Sequence, residues 1–510
     1  MSKYVLVIDR GTSKTKAALY DEKANEVFVA EQKAQTPISE KPGYAEHDMD
    51  LIWQHAKNAI KKVLNSGVCK AEEIVALSFS GQCNGLFVMD ENGNPIRNAI
   101  LSIDTRADAT LGQFITGEVR GKLKEASQGN CPGSQTPVAL LRWLKDNEPE
   151  NYKKVKYFFN SKDWVRYKLT GEMCGDPTEL SSNGVLNMAT CEVITDALDA
   201  FGIPEAISMV PPVKKPYEVV GHVTAAAAKE TGLAEGTPCV MGGHDMIVCS
   251  YGCGGSEEGH ITCITGTFAM NVGIANKSMN KVNSLNSVLD DRYILVGTSG
   301  GAAICLDYFI NLLCHEELEK AAKEHKSVFE YIEPLVANAA PSSVMVHPFI
   351  HGGGYMFQGR GGINNIDSWT TKADILRGVY QGLVYAQVQS VEKVRDGGGC
   401  GEVKEVWISG GMSNSDTVCQ LFADVLNMPV HVPAFKEAAC RGSAICALYA
   451  LGLVDDLHTA NLNSPTKAVL TPDPVKGPWY REQYELWKKQ NVDLFPYWSG
   501  ERALDAKKPE

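Results

Sequence analysis

The stretch Tyr4-Val5-Leu6-Val7-Ile8-Asp9-Arg10-Gly11-Thr12-Ser13-Lys14-Thr15-Lys16 decides the fold. An apolar run of strand length stops at Asp9, a Gly-Thr turn follows, and a second β-prone run occupies 15–20. Two runs joined by a short Gly-containing turn read as a β-hairpin. Half a chain away the pattern returns: Ile261-Thr262-Cys263-Ile264-Thr265 stops at Gly266-Thr267 and leads into Phe268-Ala269-Met270-Asn271-Val272. A Gly at such a turn lets backbone N–H groups approach an anion, and the neighbouring hydroxyl adds a donor. Two such hairpins predict a duplicated domain whose turns grip phosphate.

Composition narrows the field. At 510 residues two domains are expected, and 44% hydrophobic with 22% charged residues is the balance of a globular chain. The net charge of −12 argues against nucleic-acid binding, which draws its affinity from neutralising phosphates. The 15 Cys are scattered, many within apolar runs such as Cys263, Cys305 and Cys446, and none form a Cys-x-x-Cys pair. That pattern disfavours a disulfide scaffold or structural zinc. The apolar run before Asp9 is too short for a signal peptide, and no run reaches the length of a membrane span. A reduced, cytoplasmic protein with no membrane partner is expected.

Short β-type runs alternate with helical patterns, as in a layered α/β domain. Strands are expected at 4–8, 15–20 and 74–79. A helix carries Ile52, Ala56, Ile60, Val63 and Leu64 on one face, with Asp50 as its cap and Gly67 as its stop. The domain boundary is placed near 246–256, giving domains 1–250 and 251–510. In the second half a helix is expected near 302–314, a Gly-rich loop at 352–362 beside the turn residue His351, and a helix near 374–395 capped by Asp374. Val406-Trp407-Ile408-Ser409 then runs into Gly410-Gly411 and another helix. The tail beyond about 453 reads as polar and irregular.

Neither a Gly-x4-Gly-Lys-Ser/Thr loop nor a Gly-x-Gly-x-x-Gly turn between strand and helix is present, so a nucleotide needs another architecture. Asp9, at the mouth of a strand and next to Gly11, Thr12, Ser13 and Lys16, repels phosphate unless a divalent cation intervenes. This suggests Mg²⁺ held largely through water. Set against it is a plain turn Asp with a solvated Lys. Gly410-Gly411 offers free N–H groups at a helix start, although tight βα turns are common. Asp245, on Gly242-Gly243-His244-Asp245, is placed to accept a proton from a substrate hydroxyl, or else merely caps a helix. His244 reads as structural. Gln82, Cys83 and Asn84 follow a strand, with Gln82 and Asn84 expected on one face of it. Together with Asp104 they form a polar set suited to a polyol. The alternative for Asp104 is a local salt bridge to Arg106.

In this order the motifs resemble the FGGY family of carbohydrate kinases, over roughly residues 4 to 455. Tyr4 to Lys16 resembles the first phosphate hairpin, Pro42-Gly43-Tyr44-Ala45-Glu46 the segment after it, and Asp104-x-Arg106 and Pro137-x5-Trp143-Leu144 the next two landmarks. Gly242-Gly243-His244-Asp245 is similar to the loop of the catalytic base and Gly266-Thr267 to the second phosphate hairpin. Ser409-Gly410-Gly411 with Asn414 is similar to the adenosine segment, and Gly442-Ser443-Ala444 to the closing helix. The resemblance implies a duplicated actin-like ATPase (ribonuclease H-like) α/β fold with two lobes around a central cleft. It also implies ATP as co-substrate and Mg²⁺.

The roles it implies are Asp245 as general base, Asp9 as Mg²⁺ partner, and Thr12, Ser13 and Thr267 as phosphate contacts. Lys16 would be a peripheral phosphate group, with Gly410, Gly411 and Asn414 near the nucleotide. Departures bear on substrate: Ser102 stands where the family often has Trp, Leu140 where Lys is usual, Asn365 where Gly is typical, and Cys83-Asn84 at the sugar-reading pair. The flanking residues are most similar to the L-xylulose kinase branch, which implies a ketopentose. Erythritol, glycerol, D-xylulose or a sugar acid are rivals, as are an inactive nucleotide-responsive sugar-binding protein and an actin-like ATPase acting on proteins. The assembly left open is a homodimer.

Overall fold

The computed structural model describes residues 3–266, 268–279, 282–350 and 359–499. Thr267, His351 and most of the Gly-rich loop at 352–362 lie outside them. The chain forms two compact units. The first comprises Met1–Glu257, Ile274–Leu295 and Glu437–Ser464, and the second comprises Glu258–Gly273, Val296–Lys436 and Pro465–Glu510. Two segments from the second half of the chain therefore belong to the first unit.

In the first unit β1 (Tyr4–Arg10) and β2 (Lys14–Tyr20) form the expected hairpin, with Asp9 opposite Lys16. β3 (Glu26–Lys33) flanks β2, and β4 (Ile74–Gly81) lies parallel to β1 on its other side. β5 (Val219–His222), β6 (Pro238–Val240) and the short β7 (Gly243–His244) complete the sheet. Helix α1 (Met49–Asn65) buries Ile52, Ala56, Ile60 and Val63 against it. Its cap is Asp48, whose carboxylate accepts from the Asp50 and Leu51 N–H groups, so Asp50 lies in the first turn and is not the cap. Two short helices follow, α2 (Ser161–Thr170) and α3 (Pro177–Asn183). α4 (Asp245–Gly252) packs on α8 (Ala438–Ala450). Both helices give up side chains at the crossing. A Cβ at Gly252 would come within 2.0 Å of the Ala438 carbonyl oxygen, and one at Gly442 within 2.0 Å of the Val248 oxygen.

The second sheet, most of which lies in the second unit, repeats the scheme. β8 (His260–Thr265) pairs antiparallel with β9 (Ala269–Ala275) and parallel with β11 (Glu405–Ser409). β10 (Tyr293–Ser299) lies outside β9, while β12 (Val430–Pro433) and β13 (Thr466–Leu470) extend the other side. A hairpin whose first strand is parallel to a later strand thus occurs in both units, as the duplicated reading requires. α5 (Ala303–Leu313), α6 (Lys372–Asp396) and α7 (Asp416–Leu426) supply the helical layer. α6 is capped by Thr371; Asp374 is its reciprocal partner, accepting from the Thr371 N–H at 2.9 Å, so the expected cap was three residues late.

The tail also departs from expectation. It contains β13 and the long α9 (Lys476–Trp498), which buries Tyr480, Tyr484, Trp487 and Asn491 at helical spacing. Trp487 Nε1 donates to the Val346 carbonyl at 2.9 Å. No helix among the described residues is long and apolar enough to cross a membrane.

Candidate active site

Asp9 is the penultimate residue of β1 and projects to the side of the sheet where α8 begins. Lys16, opposite it in the hairpin, extends its ammonium to Glu437 Oε2 at 2.5 Å. Glu437 is held in turn: its N–H donates to Glu26 Oε2 at 3.0 Å, and Tyr20 OH donates to its carbonyl at 2.9 Å. Burial works against the Lys16 charge, but Asp9 and Glu437 together outweigh it and raise the pKa above the ordinary lysine value. The ammonium expected to be a peripheral phosphate group thus has a half-buried counter-ion in Glu437.

The donor atoms of Asp9, Glu437 and Cys440 lie within 4.8 Å of one another. Glu437 is engaged by Lys16. The Cys440 thiol is pushed well up by burial, then by Asp9 and Glu437, and a protonated thiol is a poor ligand for a hard cation. Asp9 Oδ1 is buried with no hydrogen-bond partner among the described residues. That orphaned oxygen is the feature that fits Mg²⁺.

Asp245 opens α4 directly after β7, which runs beside the end of β4. The preceding turn needs glycine: Gly242 has φ +68°, and a Cβ there would come 1.8 Å from the Phe79 carbonyl oxygen. The Asp245 carboxylate accepts from the Met246 N–H at 2.6 Å and lies 3.4 Å from His244 Nε2. Its side chain is half-buried, with 37% of it accessible. Burial, and then the charge of Asp9, push its pKa up to about 7, with Lys16 pulling the other way. His244 is buried and neutral, its pKa pushed down to about 3 by burial and then by Lys162. Its N–H donates to Thr178 Oγ1 at 2.9 Å, which fixes the turn that presents Asp245.

The polar set beside this carboxylate differs in part from expectation. β4 ends at Gly81 and Asn84 has φ +66°, so Gln82 and Asn84 sit in a loop and not on one strand face. Thr12 Oγ1 donates to Gln82 Oε1, linking the set to the first hairpin. Cys83 Sγ lies 3.8 Å from Asn183 Oδ1 and 4.0 Å from Asn160 Oδ1. Gln82 Nε2 and Asn183 Nδ2 are buried donors without an acceptor among the described residues.

Asp104 is closed off. Its oxygens accept from Ala45 N at 2.6 Å, from Arg106 N and Nε at 2.8 and 2.9 Å, and from Arg106 NH2 at 2.8 Å. Four bonds saturate a carboxylate, so Asp104 is the anchor of Arg106 and no free acceptor remains for a ligand. The Arg106 guanidinium packs on both the Tyr44 and Trp143 rings, 3.9 and 4.9 Å from their centroids.

Sequence reasoning passed over the ionic cluster beneath this set. Lys162, fully buried, lies 2.8 Å from Asp163, 2.8 Å from Asp176 and 3.0 Å from Glu179, and Asn160 Nδ2 donates to Glu179 at 3.2 Å. A charge-rich run, Ser161-Lys162-Asp163, on a helix beside a buried strand was the available signal. Glu437 was also missed, although a carboxylate immediately before an apolar helix is a recognisable start signal.

In the second unit, Gly410 has φ +98°, and a Cβ there would lie 2.8 Å from the Thr265 carbonyl carbon and 3.1 Å from Gly266 N. The Gly-Gly turn and the second hairpin are therefore in backbone contact. Ser413 Oγ donates to the Gly410 carbonyl at 2.7 Å, and Asn414 Nδ2 donates to that of Gly411 at 3.0 Å. Gly11, Gly266 and Gly411 have no positive φ, and a Cβ on any of them would meet nothing closer than 3.4 Å. The fold itself does not demand glycine at these three positions.

Residues 4–252 match the N-terminal domain of the FGGY family of carbohydrate kinases, and residues 260–451 match its C-terminal domain. The chain is 28% identical over 496 residues to the L-xylulose/3-keto-L-gulonate kinase of Escherichia coli (strain K12), covering 96% of each. It is 27% identical over 493 residues to a probable L-xylulose kinase of Haemophilus influenzae, covering 95% of this chain and 98% of the other. Its fold matches the ligand-bound xylulose kinase from Lactobacillus acidophilus at a TM-score of 0.85 and 20% identity, over 98% and 99% of the two chains. The chain therefore belongs to the FGGY family of carbohydrate kinases: it has the duplicated actin-like fold and is a phosphotransferase acting on a sugar.

Proposed function

We propose that this kinase transfers the γ-phosphoryl group of ATP to a hydroxyl of a neutral ketopentose of the L-xylulose type. The observation that carries the reading is Asp245, a half-buried carboxyl at the start of α4, beside the Gln82–Asn84 set, whose pKa near 7 suits a general base at neutral pH. It accepts the proton of the sugar hydroxyl as the new O–P bond forms and the bond from phosphorus to the ADP oxygen breaks. Gly11, Thr12 and Ser13 present donors to the phosphates, and Asp9 holds Mg²⁺, largely through water. Bound Mg²⁺ supplies charge neutralisation on the β- and γ-phosphates. Gly266, Thr267, Gly410, Gly411 and Asn414 serve the nucleotide from the second unit.

Gln82, Cys83, Asn84 and Asn183 read the sugar. The unpaired amide donors of Gln82 and Asn183 are groups that hydroxyls satisfy. The cation beneath them, Lys162, is already matched by three carboxylates, which favours a neutral sugar over a sugar acid. The test is ADP release from a panel of pentuloses, tetritols, glycerol and sugar acids. A sugar acid, or glycerol, ranking first in kcat/KM would overturn the substrate class. No turnover of any member would overturn the kinase mechanism on small polyols.

A further inference from the structure

Arg10 is the fully buried charged residue of the first hairpin, and no role above absorbs it. β-strand alternation sends it to the face opposite Asp9. There its side chain is fully buried. One guanidinium nitrogen lies 2.7 Å from His47 Nδ1, and the other donates to the Gly11 carbonyl. Its Nε has no partner, and no carboxylate pairs with it among the described residues. Burial lowers its pKa only to about 10, with Asp9 opposing, so it is charged at neutral pH. His47 is held neutral by burial and then by Arg10 itself, its pKa near 4, and can accept the bond. An interior guanidinium with a neutral partner is costly, so something other than stability accounts for it.

The backbone around Arg10 indicates what that is. The Arg10 carbonyl is held inward by Gln82 N at 3.0 Å and Ser161 Oγ at 3.3 Å, and the Gly11 carbonyl by Arg10 itself. In a planar trans peptide the N–H points opposite the preceding C=O. Pinning these two carbonyls inward therefore turns the Gly11 and Thr12 N–H groups the other way. Neither they nor the Ser13 N–H find an acceptor among the described residues.

We propose that Arg10, seated on His47, is a positioning residue for the phosphate loop: it clamps the Gly11 carbonyl so that successive N–H groups face the anion, and its unpaired charge adds positive potential behind them. The proposal rests on the reading that this hairpin grips the phosphates of the nucleotide.

The test compares Arg10→Met, Arg10→Lys, His47→Leu and His47→Gln with Thr12→Val in the full chain. The readouts are ADP dissociation constant, KM for ATP, KM for sugar, kcat at saturating ATP, and Tm. Arg10→Met and His47→Leu should each weaken ADP and raise the ATP KM by about tenfold or more, with sugar KM and saturating kcat within about threefold. His47→Gln, which keeps an acceptor, should stay near wild type, and Arg10→Lys should fall between. A purely structural role would lower Tm and amount of active enzyme without this split. Folded Arg10→Met with unchanged ADP affinity, while Thr12→Val weakens it, overturns the clamp and leaves the hairpin reading standing. If Thr12→Val also leaves ADP affinity unchanged, the hairpin reading fails and the clamp with it. Should Arg10→Met not fold, the His47 pair decides: equal ADP affinity for His47→Leu and His47→Gln overturns the clamp.

Discussion

Lys16 Nζ lies 2.5 Å from Glu437 Oε2, and 421 positions of chain separate the two residues. The pair neutralises half of a two-carboxylate site, leaving Asp9 as the acidic group without a partner. In Glu437→Gln the Lys16 ammonium loses its nearest counter-ion and turns to Asp9, competing with Mg²⁺. The expected result is a Mg²⁺ optimum shifted to higher concentration, read from initial rates across a Mg²⁺ titration. Superimposable titrations for variant and wild type would show that Asp9 does not hold the metal.

The same charges tune Asp245. A general base must be ionised, so kcat/KM for the sugar should rise with pH through a limb near 7. Asp9 raises this pKa, and its removal in Asp9→Asn should move the limb to lower pH even as the maximal rate falls. Lys16 lowers it, and Lys16→Met should move the limb upward. The opposite signs are the discriminating feature, because a general loss of structure shifts both variants the same way.

Asp245→Asn preserves shape and removes the proton acceptor. Turnover on the best sugar should fall about 10²–10⁴-fold, with ATP affinity little changed. Retention of more than about a tenth of wild-type kcat would assign the base elsewhere.

Lys162→Met leaves Asp176 and Glu179 in the interior without their cation, while Asp163 keeps Arg166 at 3.1 Å. Breaking a buried ion pair from one side typically costs about 3–5 kcal/mol. A large drop in the urea midpoint is expected at pH 7, and it should shrink as the pH is lowered and the carboxylates take up protons. An unchanged midpoint would mean that the cluster is not closed to water.

Asp104→Asn should lower Tm, since the Arg106 guanidinium loses part of its carboxylate anchor while remaining inside. Its effect on sugar kcat/KM should be smaller than that of Gln82→Ala, whose amide has a free donor. The reverse order would restore Asp104 as a direct sugar contact.

Much of this architecture was legible in local sequence. The hairpin at Asp9–Lys16, its counterpart at Gly266, the Gly242–Asp245 turn and the strand into Gly410 each combine an apolar run with a glycine in a short window, and windows carry periodicity. What stayed hidden depends on distance in the chain or on register. Nothing near Lys16 announces Glu437, and nothing near Arg10 announces His47. Asn84 reads as a strand residue because an apolar β-prone run precedes it, but the strand ends at Gly81 and the left-handed backbone of Asn84 turns the chain away. The caps at Asp48 and Thr371 differ from expectation by two and three residues because each has an acidic neighbour in the first turn. Helix α9 was missed because its buried residues are aromatic rings and an Asn spread among charges, a stripe that bulk hydropathy does not register.

The interlock of Gly252 with Gly442 has a consequence for biosynthesis. Glu437–Ser464 belongs to the first unit, whose other strands emerge from the ribosome long before it does. Until that segment is released, the face of α4 that receives α8 has no cover, and Lys16 lacks Glu437. The half of the protein that starts first is therefore finished almost last. A chain ending anywhere upstream of residue 437 therefore lacks α8, leaving the Gly252 face of α4 uncovered and the place of Glu437 beside Lys16 empty.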